Sequence, residues 1–249
     1  MNLIKTSEEI KIIAEGGKIL ATVLSQLEKM VKPGITTLDL DRAAEALILM
    51  HKAKPAFKGY EKFPYSLCTS VNEDIVHGFP SNRVLKEGDI IGLDLGVLYK
   101  GYNSDMAVTV PVGKVSFEAA RLIMVTKKAL KRGIKKVRAG NTTGDIGNTI
   151  QRYIEDQGYG VVRELCGHGI GKEIHEDPHI PNYGQRHKGV KLQEGMVICI
   201  EPMVTIGSYQ IKKSKDSYGY ATKDGSLSAH FEYTIAVTKS GAKVLTSIL

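Results

Sequence analysis

The stretch Asp94-Leu-Gly-Val-Leu-Tyr-Lys-Gly-Tyr-Asn-Ser-Asp105 carries two carboxylates in sequence apolar enough to be buried, flanked by Ile90, Ile91, Leu93, Val97 and Val108. A two-residue turn at Lys100-Gly101 predicts a hairpin in which Tyr99 pairs with Tyr102 and Asp94 lies opposite Ala107. Asp105 is two residues from Ala107, so both aspartates point to one face as diagonal neighbours, roughly 7–8 Å apart at the backbone. Carboxylates this close either take up a proton or hold divalent cations between them. The stretch alone leaves two other readings open. One aspartate faces solvent or caps a turn, or a one-residue bulge sends the two to opposite faces.

Two more acids sit in similar surroundings. Glu201 ends the apolar run Val197-Ile-Cys-Ile and precedes Pro202, and Glu232 lies between Phe231 and Tyr233 in a strand-like segment. A glutamate in a buried strand is costly unless it is paired or binds a metal. In Gly167-His168-Gly169 the glycines allow close backbone approach and leave the imidazole uncrowded. Four carboxylates and one imidazole form an oxygen-rich set suited to two hard or borderline divalent ions and unsuited to metals that demand thiolate.

The elements that must position these groups are legible from periodicity. Thr6-Ser-Glu-Glu9 reads as a capping box opening a helix with Ile10, Ile13, Leu20, Val23, Leu24 and Leu27 at helical spacing, stopped near Lys32-Pro33-Gly34. A second helix starts at Thr36-Thr-Leu-Asp39 and directs Ala43, Ala44, Leu47 and Met50 inward. Ser116 opens a third, ending near Ala139-Gly140, and Thr142-Thr-Gly-Asp145 opens a fourth. Gly34, Thr36, Thr37, Asp39 and Leu40 recur 106 residues on as Gly140, Thr142, Thr143, Asp145 and Ile146. In each half a long helix, a capped shorter helix and then strands carrying Gly, His and acids follow in the same order. No linker or low-complexity segment divides them. The expectation is therefore a single α/β domain over 1–249, with two pseudo-symmetric halves, about 1–112 and 113–249, sharing a central site.

Composition narrows the class. With 249 residues, 42% hydrophobic and 24% charged, the chain matches an ordinary globular protein able to bury a full core. No apolar run approaches a membrane span, and Met1-Asn-Leu-Ile-Lys-Thr-Ser-Glu-Glu enters an amphipathic helix without a signal-peptide core. Cys68, Cys166 and Cys199 are scattered, with no CxxC spacing, and read as reduced thiols. These features point to the cytoplasm and give no sign of oligomerisation, so the chain is read as a monomer. The net charge of +7 is modest. Its densest cluster, Lys127, Lys128, Lys131, Arg132, Lys135, Lys136 and Arg138, lies on a predicted helix whose other side carries Leu122, Ile123, Leu130, Ile134 and Val137. That cluster is either a polyanion-docking face or a plain solvated one.

Taken together, the hairpin, Cys166-Gly-His-Gly-Ile-Gly-Lys-Glu-Ile-His-Glu-Asp-Pro178, Gly195-Met-Val-Ile-Cys-Ile-Glu-Pro-Met203 and Ser226-Leu-Ser-Ala-His-Phe-Glu-Tyr-Thr234 resemble the type I methionine aminopeptidases, from the first helix to the C-terminus. The resemblance implies the pita-bread fold, in which two related halves of antiparallel strands covered by helices clasp a dinuclear centre. It implies Asp94, Asp105, His168, Glu201 and Glu232 as ligands of two divalent ions (Mn, Fe, Co or Zn), with Asp105 and Glu232 bridging. It makes His77 and His175 the substrate-contacting histidines and Tyr60, Phe63, Cys68, Ile174 and Tyr218 the S1 pocket. Ile174 and Tyr218 depart from the aromatic types frequent in bacterial relatives and are expected to widen that pocket. Tyr233 stands where a His often follows the last glutamate, and His230 replaces a common Gln.

The activity so implied is hydrolytic removal of the initiator methionine from nascent chains when the second residue is small. Glu201 would move the proton of the attacking water to the leaving amine, and His175 would donate to the carbonyl oxygen. The basic helix would hold the enzyme near ribosomal RNA. A prolidase or aminopeptidase P of the same fold has a similar ligand set but usually an extra N-terminal domain. A non-catalytic module of the fold would have lost ligands, and all five are intact. A carboxylate-rich phosphatase or nuclease would need phosphate-binding Arg or Lys beside the acids, where the hairpin offers only Lys100.

Overall fold

The computed structural model describes residues 3–247; Met1 and Asn2, the head of the stretch read above for a signal peptide, lie outside them. Among the described residues there are four α-helices, α1 (Ser7–Met30), α2 (Thr37–Met50), α3 (Phe117–Ile134) and α4 (Thr143–Asp156). All four begin at the expected caps. Thr6, Thr36 and Thr142 form capping boxes with Glu9, Asp39 and Asp145, and Ser116 accepts from the amide of Ala119.

Two helical details differ from the sequence reading. The third helix stops at Ile134, because the chain tightens there into three-residue turns, with Lys136 and Val137 donating to Gly133 and Ile134. Val137 is still buried, so its apolar spacing outlasts the helix. Met50 is 77% exposed and Leu47 only partly buried; the inward face of α2 is Leu40, Ala44 and Ile48. Met50 is the last residue of the helix, beyond the reach of the sheet beneath it.

Nine strands form the main sheet: β1 (Lys54–Pro55), β2 (Leu67–Val71), β3 (Ile90–Tyr99), β4 (Tyr102–Pro111), β5 (Gly167–Gly169), β6 (Glu176–Ile180), β7 (Val197–Ile200), β8 (Glu232–Thr238) and β9 (Gly241–Val244). Their order is β1-β3-β4-β8-β7-β5-β6, with β2 also on β3 and β9 on β8, all pairs antiparallel. Alternation sends Leu93, Leu95, Met106, Val108, Ile235 and Val237 into one buried cluster with Leu20, Leu24 and Leu27 of α1 and Leu122 and Leu130 of α3. The opposite face of the same strands carries Asp94, Asp105 and Glu232 beside the small side chains of Ala107 and Ala236. Two three-stranded sheets stand beside the main one, one of them pairing Asp74–Val76 with the hairpin Ile211–Lys213/Tyr220–Thr222.

The internal repeat extends past the helix junctions into the hydrogen-bonding of the strands. Gly34 donates to Leu85 O and Leu85 to Ile35 O; Gly140 donates to Leu192 O and Leu192 to Asn141 O. Gly88 donates to Val112 O and Val112 to Asp89 O, while Gly195 donates to Val237 O and Val237 to Met196 O. β3 and β4 of the first half therefore correspond to β7 and β8 of the second, with Asp94 matching the position of Glu201 and Ala107 that of Glu232.

Candidate metal centre

The hairpin forms in the expected register, Tyr99 opposite Tyr102 and Asp94 opposite Ala107, without a bulge. Lys100 and Gly101 both have positive φ (48° and 84°), the primed geometry that lets two strands close over a two-residue turn. β8 lies on the other side of β4 with Glu232 opposite Ala107. Asp94, Ala107 and Glu232 thus make one row across three strands, and Asp105, two residues along β4, shares their face. Glu201 follows the end of β7, whose Ile200 pairs with Tyr233. His168 lies at the centre of β5, beside β7. Five adjacent strands, β3, β4, β8, β7 and β5, supply one donor each.

The glycines around His168 act on its neighbours. A Cβ at Gly167 would collide with the carbonyl of Cys199, and one at Gly169 with that of Asp177, so their absence lets the backbones of β7 and β6 close on β5. Nδ1 of His168 lies 2.8 Å from the carbonyl oxygen of Gly169, which can only accept. The proton is therefore on Nδ1, and the lone pair of Nε2 faces Glu201 Oε1 at 3.6 Å, Glu232 Oε1 at 3.8 Å and Asp105 Oδ2 at 4.0 Å.

Burial and crowding push all four acids out of the ordinary carboxylate range. Asp94 rises to about 7 through desolvation. Asp105 is raised well above the ordinary carboxylate value through burial and then the charges of Glu232 and Asp94; Glu201 likewise through burial, Asp105 and Asp94; Glu232 through burial, Glu201 and Asp94. His168 is held neutral, its pKa depressed to about 3 by burial and the neighbouring His175. Asp94 Oδ1, Asp105 Oδ1 and Glu232 Oε1 are buried with no hydrogen-bond partner. Among the described residues, the triplets Asp94-Asp105-Glu232, His168-Cys199-Glu232 and Glu201-His230-Glu232 each bring donor atoms within 4.8 Å of one another, and all share Glu232. Orphaned acceptors facing an imidazole lone pair fit divalent cations, which would satisfy them all at once.

A cavity of about 320 Å³ opens on this cluster, walled by Phe57, Tyr60, Phe63, Cys68, Leu165 and Tyr218 and ending on the four acids and His168. His77, His175 and Glu201 line both it and an adjoining cleft of about 500 Å³. Tyr60 OH is 3.0 Å from His175 Nδ1, and the His175 ring packs edge-on against that of His168 at 4.5 Å. His77 follows the Asp74–Val76 strand with a left-handed φ of 61°. Its pKa is depressed to about 4 by burial and by His175 and Lys213. Tyr218 stacks on Phe79 at 4.8 Å and contacts Phe63 at 5.5 Å, an aromatic wall.

Ile174 is not in that wall. It is buried with Ile13, Ile170, Val197 and Leu245 in a small cluster behind Tyr60, so its bulk does not set the width of the cavity. Tyr233 also lies away from the site, since it points to the core face of β8. Sequence reasoning overlooked Phe57, Glu61, Leu165, Lys213, Ser217 and Tyr220 as lining residues. These come from turns and a side hairpin that no motif marks.

Similarity to known proteins matches this geometry. The model of metallopeptidase family M24 matches residues 11–239. A methionine aminopeptidase of Clostridium acetobutylicum is 51% identical, with 99% of each chain covered. The crystal structure of a methionine aminopeptidase from Thermotoga maritima superposes with a TM-score of 0.97 at 42% identity, over 100% of both chains. The prolidase of Pyrococcus horikoshii is more distant, with a TM-score of 0.81 at 27% identity; it covers 99% of this chain but only 64% of its own is covered in return. The 51% and 42% identities to methionine aminopeptidases, against 27% to the prolidase, decide between them: the chain belongs to metallopeptidase family M24, among its methionine aminopeptidases.

Proposed function

We propose that the chain removes the N-terminal methionine from peptides and nascent proteins whose second residue is small, using two divalent ions that Asp94, Asp105, His168, Glu201 and Glu232 would hold. The observation that carries this reading is the convergence of five donors from adjacent strands on a cavity with aromatic walls. When bound, the ions supply Lewis acidity that polarises the scissile carbonyl and lowers the pKa of water towards neutrality. Mn, Fe, Co and Zn all suit the donor set.

The residues divide the remaining work. Phe57, Tyr60, Phe63, Cys68, Leu165 and Tyr218 offer an unbranched thioether an apolar slot with aromatic edges. Glu201 accepts the proton of the attacking water and returns it to the leaving amine. The Tyr60 hydroxyl lies 3.0 Å from Nδ1 of His175; with that hydroxyl as donor, the neutral imidazole carries its proton on Nε2, for the carbonyl oxygen as negative charge develops there. His77 contacts the peptide backbone from the far wall. Among the described residues no helix is long and apolar enough to cross a membrane. The three cysteines are free, which supports work in a reducing compartment, the cytoplasm, and the enzyme is proposed to act as a monomer.

An assay on Met-Ala-Ser and Ala-Pro peptides, after chelation and re-addition of Mn, Co, Fe or Zn, tests the reading. Metal-restored cleavage of Met-Ala-Ser is expected; cleavage of Ala-Pro alone would sink it. Glu201→Gln should lower kcat by about 10²–10⁴-fold, and full activity in that variant would remove Glu201 from proton transfer.

A further inference from the structure

We propose that His230 is a second imidazole donor to the metal centre, the counterpart of His168 on the opposite side of Glu201 and Glu232. The inference rests on the metal-centre reading given above. His230 ends the short strand Ser228–His230, and Glu232 opens β8 two residues later, so alternation directs both side chains to the same side. The backbone of His230 is fixed from β4: its N–H donates to Thr109 Oγ1 at 2.9 Å, and that hydroxyl donates to the carbonyl of His230 at 2.8 Å. Thr109 is two residues from Ala107, at the edge of the acidic row.

The ring is 3% exposed, and its Nε2 has no hydrogen-bond partner. It stands 3.8 Å from Glu201 Oε2 and 3.8 Å from Glu232 Oε2. His168 Nε2 stands 3.6 Å and 3.8 Å from the Oε1 atoms of the same two residues. Each glutamate therefore turns one oxygen to each imidazole. Hydrogen bonds from nitrogen to oxygen run to about 3.2 Å, so neither imidazole is bonded to these carboxylates. Donors that sit roughly 2.0–2.2 Å from a common ion stand about 3–4 Å from one another, and that is the separation on both flanks. Glu201, His230 and Glu232 also bring their donor atoms within 4.8 Å as a set.

A second neutral nitrogen leaves the charge balance between four carboxylates and two divalent ions untouched. It moves the donor set from the oxygen-rich kind that suits Mn towards one that favours Fe, Co and Zn. His230 would thus make metal selectivity a property of this chain's own sequence at one position.

The test counts coordinated nitrogens and measures affinities on the full chain. Pulsed electron paramagnetic resonance of the Mn(II)-loaded protein should show two imidazole nitrogens, one in His168→Ala, one in His230→Gln and none in the double variant. Calorimetric titration of metal-free His230→Gln with Co(II), Zn(II) and Mn(II) should show affinity for Co and Zn falling at least about 10-fold, with a smaller change for Mn. Glutamine retains a polar side chain of similar reach and keeps the fold; if His168→Ala does not fold, the count in the unsubstituted chain decides. One coordinated nitrogen in the unsubstituted chain, or unchanged metal preference in His230→Gln, overturns the proposal and leaves the metal centre standing. No metal uptake by the unsubstituted chain overturns both.

Discussion

Glu232 lies directly across β4 from Asp94, with the methyl group of Ala107 between them. The internal repeat makes Ala107 and Glu232 equivalent positions that face one another, so the local axis of the repeat passes between them. A perfect repeat would set two glutamates side by side at that point, like charges that repel. One half supplies the acid and the other the space for what the acids hold. Ala107 is 1% exposed, and adding two methyl groups there fills that space. Ala107→Val should therefore abolish metal uptake, measured by elemental analysis after dialysis against Mn or Co. Overpacking should cost about 1–3 kcal/mol of stability, leaving circular dichroism unchanged at room temperature. A valine variant that binds metal normally would show that the row is not the floor of the centre.

Four acids with raised pKa values give the metal-free chain a distinctive pH dependence. In the unfolded chain they ionise near pH 4, whereas in the fold Asp94 titrates at about 7 and Asp105, Glu201 and Glu232 well above the carboxylate range. A group that holds its proton more tightly when folded stabilises the fold at low pH, and that stability is lost as pH rises through the folded pKa. His77, His168 and His230 act in the opposite sense, since burial depresses them to about 4, 3 and 3. Their contribution is present above pH 6.5 and lost below it. Above pH 6.5 only the acids among these groups change, so the melting temperature of the metal-free chain should fall as pH rises from there through their folded pKa values. Each proton retained only in the fold contributes about 1.4 kcal/mol per pH unit. Added metal should remove the fall and release protons on binding. A flat metal-free profile would show that the acids are ionised without an ion.

The hairpin was legible because its turn and alternation are local: Lys100-Gly101 fixes the register, and the register fixes the face of both aspartates. The helix caps were legible for the same reason, each needing only four residues. What the sequence could not convey is lateral order. β8 inserts between β4 and β7, and only that insertion sets Glu232 opposite Ala107 and brings His230 against Glu201. Ile174 was misjudged for a related reason. It directly precedes His175, yet its side chain packs behind Tyr60, away from the cavity into which the histidine points. The buried ion pair of Lys5 and Glu176 at 2.5 Å joins residues 171 apart that no spacing connects.

Tyr60 and His175 offer a test of how much orientation contributes to the proposed oxyanion donor. Their 3.0 Å contact holds the imidazole in its orientation, and a hydrogen bond of this kind is worth roughly 0.5–1.5 kcal/mol. Tyr60→Phe keeps the ring and the cavity wall and removes the hydroxyl. It should lower kcat about 3–10-fold with little change in KM, whereas His175→Ala should cost about 10²–10³-fold. Equal losses in the two variants would show that Tyr60 acts on the substrate itself. No loss in Tyr60→Phe would show that His175 is oriented by its packing on His168.

The basic cluster on and after α3 bears on where the proposed enzyme meets its nascent substrates. Lys127, Lys128, Lys131, Arg132, Lys135, Lys136 and Arg138 are all exposed, and among the described residues none pairs with a carboxylate within 4.0 Å. Cations left unpaired in this way are available to phosphates, and each phosphate neutralised on a duplex steepens the salt dependence of binding by roughly 0.9 in log–log slope. The chain should co-sediment with ribosomes at about 50 mM salt and lose most of that association by about 200 mM. Lys128→Glu, Lys131→Glu and Lys135→Glu together should abolish it while free-peptide cleavage is retained, because this helix packs on the core face of the sheet, opposite the acidic row. Association that ignores salt, or survives the triple reversal, would assign these lysines to ordinary solvation.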